Sequence, residues 1–183
     1  INAFNNVDYV VHAAALKQVD TAEYNPFEFV KTNIQGTENV IQAAAATSVK
    51  KVIALSTDKA VSPINLYGAT KLCSDKLIVA ANNIFGNRNI SFSLVRYGNV
   101  MSSRGSVIPL FKKNLKEGKS FKITDPNMSR FNITLEKCIE TVIWALNVTI
   151  GGEIIIRKSP SYKILDLAKS ISSKNKIEII GVR

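Results

Sequence analysis

Three features of the chain predict an α/β fold, a doubly wound parallel sheet with a smaller second lobe. Short buried-type apolar runs alternate with helical spacings in the order β-α-β-α-β through residues 1–100, which demands parallel strands and right-handed crossovers. The composition is ordinary globular material: 183 residues, 46% hydrophobic, 8% aromatic and 21% charged, with 9 Gly and 5 Pro. The net charge of +10 is unevenly spread, with 9 basic and 7 acidic side chains in residues 1–100 but 15 and 7 in 101–183. The second part therefore reads as a separate, anion-attracting region.

Val7–Val11 is a continuous β-branched and aromatic run, the pattern of a strand buried on both faces, and it shrinks to alanine at Ala13, Ala14 and Ala15. Asn25-Pro26 then opens a helix as N-cap and first-turn proline, and Phe27, Val30, Ile34, Val40, Ile41, Ala44 and Ala45 keep helical spacing for about five turns. Lys51–Ser56 is a second buried strand, Leu66–Ala81 a second helix, and Ile90–Tyr97 a third strand. Beyond Asn99 the pattern predicts a helix over Val107–Lys116, a strand near Phe121–Thr124 and a helix over Leu135–Leu146. A strand Glu153–Arg157, a helix Ile164–Ser172 and a strand Lys176–Ile180 follow. The division predicted is 1–100 as a partial doubly wound domain and 101–183 as a smaller, more basic lobe, into which the last elements of the first domain can interleave.

Several classes are excluded or disfavoured. No apolar stretch approaches the roughly 20 residues of a membrane-spanning helix, and no secretory signal pattern opens the chain. Cys73 and Cys138 form no CxxC unit, so neither a disulfide framework nor a metal site is indicated, and a cytoplasmic location is expected. Both cysteines and Trp144 read as helix packing residues. The lysines at 112, 113, 116, 119 and 122 lack interleaved aromatic residues, so they read as a solvated face rather than a nucleic-acid site.

Ligands of doubly wound sheets bind outside the carboxyl ends of the strands, so the chemistry is sought there. The second strand ends in Ser56-Thr57-Asp58-Lys59, and the next helix carries Tyr67 and Lys71. Four-residue spacing puts that phenol and ammonium on one helix face, where a cation favours the phenolate. Two strand-end clusters thus converge on one crevice. His12, on an apolar strand, reads as structural by residue type.

These residues carry a family resemblance. His12-Ala13-Ala14-Ala15, Tyr67-x-x-x-Lys71 and Arg96-Tyr97-Gly98-Asn99-Val100 resemble the Rossmann-fold extended short-chain dehydrogenase/reductases that act on nucleotide sugars. The run from Ser56 to Lys71, continued by Arg104–Pro109 and Thr124–Phe131, is similar to the UDP-N-acetylglucosamine 4,6-dehydratases, and the tyrosine at 67 to their C5-inverting branch, the type that opens pseudaminic acid synthesis. The resemblance implies UDP-N-acetylglucosamine as substrate, NADP (or NAD) as cofactor and a homo-oligomeric parent. It makes Tyr67 the base at the sugar 4-hydroxyl assisted by Lys71, Lys59 the base at C5, Asp58 the acid at the departing 6-hydroxyl, and Thr57 a hydrogen-bond partner of the sugar. His12, Ala13, Ala14, Ala15, Tyr67, Lys71 and Tyr97 would line the cofactor, the small alanines admitting it close to the backbone. Lys17, Asn99, Arg104, Ser106, Val107, Thr124, Met128 and Arg130 would bind the substrate, Arg130 by pairing with the pyrophosphate.

Asp58 and Lys59 face opposite demands, one as acid and one as base. In an extended strand adjacent side chains diverge, so a turn at the strand end is required to bring both to the sugar. The family's Gly-x-x-Gly-x-x-Gly loop is absent from the 183 residues; on the resemblance it would precede Ile1, making the chain the C-terminal part of the fold, a fragment expected to bind NADP poorly by itself. Asn132 stands where an aromatic residue is common. The rivals are a UDP-sugar 4-epimerase, a non-catalytic cofactor-binding sensor and a basic nucleic-acid module.

Overall fold

In the computed structural model residues 1–103 and 105–181 are described; the substrate contact expected of Arg104 lies outside them. The chain forms two compact units, one of residues 1–97 and 139–157, the other of 98–138 and 158–183.

The first unit is built on a parallel sheet of β1 (Tyr9–His12), β2 (Lys51–Thr57), β3 (Ser91–Tyr97) and β7 (Ile154–Ile156), in that order across the sheet. Alternation along β2 and β3 sends side chains to two apolar layers. Val52, Ala54, Phe92 and Leu94 pack with Ile41 and Ala44 of α3 (Gly36–Ala45) and Ile78 and Ala81 of α4 (Leu66–Ile84). Ile53 and Val95 point the other way, against Ala145 of α6 (Leu135–Val148). Helices on both faces make the sheet doubly wound and Rossmann-like, as the residue pattern demands.

The helix expected from Pro26 is interrupted. It runs as α2 (Pro26–Phe29), then a π turn over Val30–Gln35, then α3. One extra residue per turn rotates Asn33 into the interior, where it is 1% exposed. A further helix, α1 (Val19–Tyr24), forms in a stretch to which the sequence pattern assigns no element. Two packing expectations are corrected: Trp144 is 54% exposed, and Cys73 is exposed on α4. Helix α6 turns Cys138, Thr141 and Ala145 inward, with Val142 and Leu146 packed beside them, and leaves Ile139, Ile143 and Trp144 exposed.

In the second unit β4 (Asn99–Val100), β6 (Ser129–Ile133) and β8 (Ser161–Lys163) form one sheet, while β5 (Phe121–Ile123) pairs with β9 (Ile177–Ile179). Phe111 of α5 (Val107–Lys116) stacks on Phe121 at 4.7 Å between centroids, and Ile123, Ile164 and Ala168 complete this core, the last two from α7 (Ile164–Ile171). Among the described residues no helix is long and apolar enough to cross a membrane.

Candidate active site

In the first unit β2 and β3 end level. Ser56 pairs with Arg96 and Thr57 with Tyr97 across the parallel ladder. The backbone after Thr57 does not stay extended but tightens into a 3-10 turn, Asp58–Ala60, with Thr57 as its cap accepting from the Lys59 amide at 3.4 Å. This is the strand-end turn that the chemistry requires. It folds Lys59 Nζ back onto Asp58 Oδ1 at 3.0 Å, and Thr57 Oγ1 donates to the same oxygen at 2.9 Å. The Lys59 and Asp58 side chains are 38% and 30% exposed, open to a ligand.

Helix α4 delivers the second cluster. Asn65 caps it by accepting from the Gly68 amide at 2.9 Å, and Glu23 of α1 accepts from the Leu66 amide. Gly68 is where the helix meets the turn: a Cβ there would lie 2.3 Å from the Lys59 carbonyl oxygen. Only glycine allows that approach. Tyr67 and Lys71 follow on one face, both buried. Burial pushes the Tyr67 phenol up; a hydrogen bond with Thr57 pulls it back, and the carboxylates of Asp58 and Asp75 add to the rise. Burial lowers the Lys71 ammonium, which Asp75 counters, and Nζ donates to the Leu55 carbonyl at 2.9 Å. Thr57, Asp58, Lys59, Tyr67 and Lys71 thus form one cluster, with a phenol, an amine and an acid-amine couple around the end of β2.

Beside it Ala13, Ala14 and Ala15 lie exposed just past the end of β1, and Tyr97 is the last residue of β3. Lys17 is exposed two residues beyond the alanines. His12 is directed inward: Nε2 lies 3.1 Å from Thr37 Oγ1, and burial together with the Lys71 charge lowers its pKa.

Residue reading missed the support behind these groups. Asn33 brackets Leu16 through the latter's amide and carbonyl, at 2.8 and 3.0 Å, and donates to Thr70 Oγ1. Asp75 accepts from Ser56 Oγ at 2.8 Å and pairs with Arg96 Nε at 2.9 Å. An acidic residue one further turn along the Tyr67–Lys71 face was the available signal.

In the second unit a cavity of about 300 Å³ is lined by Asn99, Ser106, Val107, Thr124, Met128 and Arg130, together with Asn132 and Tyr162, which were not expected. Ser106 precedes the first turn of α5, and its buried hydroxyl has no partner among the described residues. Asn132 Nδ2 donates to the Tyr162 hydroxyl, so this wall is polar where an aromatic residue at 132 would make it apolar. Among the described residues no group of His, Cys, Asp and Glu could hold a metal ion.

The chain is similar to several known proteins. A family described as "Polysaccharide biosynthesis protein" matches residues 1–183. The chain is 56% identical over 182 residues to a UDP-N-acetylglucosamine 4,6-dehydratase (inverting) of Campylobacter jejuni, covering 99% of this chain and 54% of that protein. It is 48% identical over 186 residues to a UDP-glucose 4-epimerase of Rickettsia bellii, covering 100% and 54%. The X-ray structure of Pen from Bacillus thuringiensis superposes with a TM-score of 0.92 at 47% identity, covering 99% of this chain and 59% of that one. The chain thus spans about half the length of the curated relatives it matches.

Proposed function

The chain belongs to the polysaccharide biosynthesis protein family, and from that membership we propose that it carries the catalytic residues of a C5-inverting UDP-N-acetylglucosamine 4,6-dehydratase. The observation that carries the reading is the Asp58–Lys59 couple, partly open to solvent and joined through Thr57 to Tyr67. The run of exposed alanines after β1 offers a surface that a flat dinucleotide can approach closely, so the site fits NADP or NAD. When bound, that cofactor supplies hydride uptake from C4 and hydride return at C6.

Tyr67 accepts the proton of the sugar 4-hydroxyl. The Lys71 ammonium lies on the same helix face and offsets the cost of a buried phenolate. The ketone formed at C4 acidifies the C5 proton, and Lys59 takes it as the free amine. Asp58, as the acid, protonates the departing 6-hydroxyl, which leaves as water. The ion pair and this acid-amine pair differ by one proton moved along the 3.0 Å contact. Covering the pair with a sugar withdraws water from it and favours the neutral form. Elimination then leaves Asp58 as carboxylate and Lys59 as ammonium, the resting ion pair. A proton drawn from solvent reaches C5 on the opposite face and inverts that centre, while Tyr67 returns the proton it took to solvent and Lys59 passes its own back to Asp58 as the next cycle begins. In the second unit, Arg130 and the α5 N-terminus at Ser106 and Val107 hold the nucleotide diphosphate.

The test is turnover of UDP-N-acetylglucosamine in deuterated water by the protein expressed from its whole reading frame. Loss of one water with deuterium at C5 is expected, and Lys59→Ala abolishes elimination. A 4-epimerase returns hydride to C4 and uses no acid-base pair at C5 and C6; a product of unchanged mass would replace our reading with that one.

A further inference from the structure

Tyr67, Lys71 and Asp75 stand at successive four-residue steps on one face of α4, so a third charged group backs the reacting pair. Asp75 is 2% exposed, and no role in the chemistry above calls for a carboxylate there. Its partners come from both central strands. Ser56 of β2 donates to Oδ2 at 2.8 Å, and Arg96 of β3 reaches the same oxygen at 2.9 Å. Ser56 and Arg96 are themselves direct partners in the β2–β3 ladder, one residue before Thr57 and Tyr97. A single carboxylate oxygen therefore ties α4 to the two strand ends from which the site is built.

We propose that Asp75, clamped between Ser56 and Arg96, is a positioning residue that fixes the Tyr67–Lys71 face against the ends of β2 and β3 and keeps Lys71 in its ammonium form. The inference rests on the reading of Tyr67 and Lys71 as the reacting pair. A helix held only by apolar contacts can slide or roll by fractions of an ångström, and a charged clamp shared with two strands opposes that. The electrostatics agree. Lys71 is 3% exposed, and burial drives its ammonium towards the free amine. The charged and titratable groups around it are His12 on β1, Tyr67 and Asp75 on its own helix, and Arg96 on β3, which reaches Asp75. Asp75 favours the charged form of Lys71, and its carboxylate is paired with Arg96 at 2.9 Å. Breaking such a pair from one side leaves a buried charge uncompensated, whereas removing both charges together is tolerated better.

The test is the titration of Lys71, followed through its ε-carbon by NMR in the full chain and assigned with Lys71→Met. In Asp75→Asn the midpoint is expected at lower pH than in the parent sequence, and in Asp75→Glu it returns. The double variant Asp75→Asn, Arg96→Gln removes both charges and serves if the single variant fails to fold; its midpoint also falls, by less, because losing the Arg96 cation offsets part of the shift. A midpoint unchanged in either folded Asn-containing variant, even with lowered thermal stability, overturns the proposal, because a purely structural role moves stability and not the Lys71 midpoint. The titration needs no turnover. These shifts in a protein that, expressed from its whole reading frame, lacks dehydratase activity refute the proposed function and leave the clamp standing; an active dehydratase without them refutes the clamp alone.

Discussion

Asp58 and Lys59, neighbours in the chain, are bonded to each other through their side chains, Oδ1 to Nζ at 3.0 Å. Neighbours in a strand cannot do this, since their side chains leave on opposite sides. The 3-10 turn that begins at Asp58 makes the contact possible, and Thr57 fixes the shared oxygen from the other side. On the proposed mechanism this contact places the acid for the 6-hydroxyl beside the base for C5.

Replacing Tyr67 by Phe keeps the ring among Ala22 and Phe29 and removes only the hydroxyl. Turnover is expected to fall by about 10²–10⁴-fold, with the melting temperature little changed. Product formation followed by mass, beside a thermal melt, checks both halves; a Phe variant that turns over at the parental rate removes Tyr67 from the role of base.

Gly68→Ala is expected to cost about 1–3 kcal/mol of stability and to cut activity by more than that loss explains. The new methyl meets the Lys59 carbonyl oxygen at 2.3 Å and the Pro63 Cβ at 3.0 Å, and the backbone atom cannot swing aside. The helix must move off the turn, separating Tyr67 from Thr57. Chemical denaturation and kcat measured on the same variant show whether the two effects part.

Glu153 predicts an acid limb of stability. Its burial disfavours the charge, yet hydrogen bonds from the Ile150 and Gly151 amides and the Ser93 hydroxyl outweigh it and bring the pKa from 4.5 down to about 2. The native chain binds fewer protons than the unfolded one in that window, so this stabilisation is whole above pH 4.5 and is lost as pH falls through about 2. Glu153→Gln is expected to be less stable at neutral pH and flatter between those limits. Urea midpoints measured across the window decide it.

Arg130→Ala is expected to weaken UDP binding by about 10- to 100-fold, the worth of a hydrogen bond to a charged group. Calorimetric titration with UDP measures it. Equal affinity in both proteins would show that the diphosphate goes elsewhere.

Strands β1, β2 and β3 and their parallel sense were legible because these are apolar runs bounded by turn chemistry, and the Tyr67–Lys71 spacing is a local pattern. The π turn was not. Residues 26–45 keep a helical rhythm, and the one-residue slip that buries Asn33 leaves no mark in it. Helix α6 was found but its faces were misassigned at Trp144. Its apolar residues spread over more than half of its circumference, with Leu135, Ile139, Ile143 and Trp144 exposed while Ala145 is buried, so periodicity does not single out the side that packs. The Asp75–Arg96 clamp joins residues 21 positions apart, a contact visible only once β3 lies beside β2.

The route of the chain has a consequence for its birth. Strand β3 is paired on its far side by β7, yet residues 98–138 of the other unit are made in between. Until Ile156 has left the ribosome, β3 carries a bare edge able to capture a stray strand, so a nascent chain stalled within that stretch is the form most prone to aggregate.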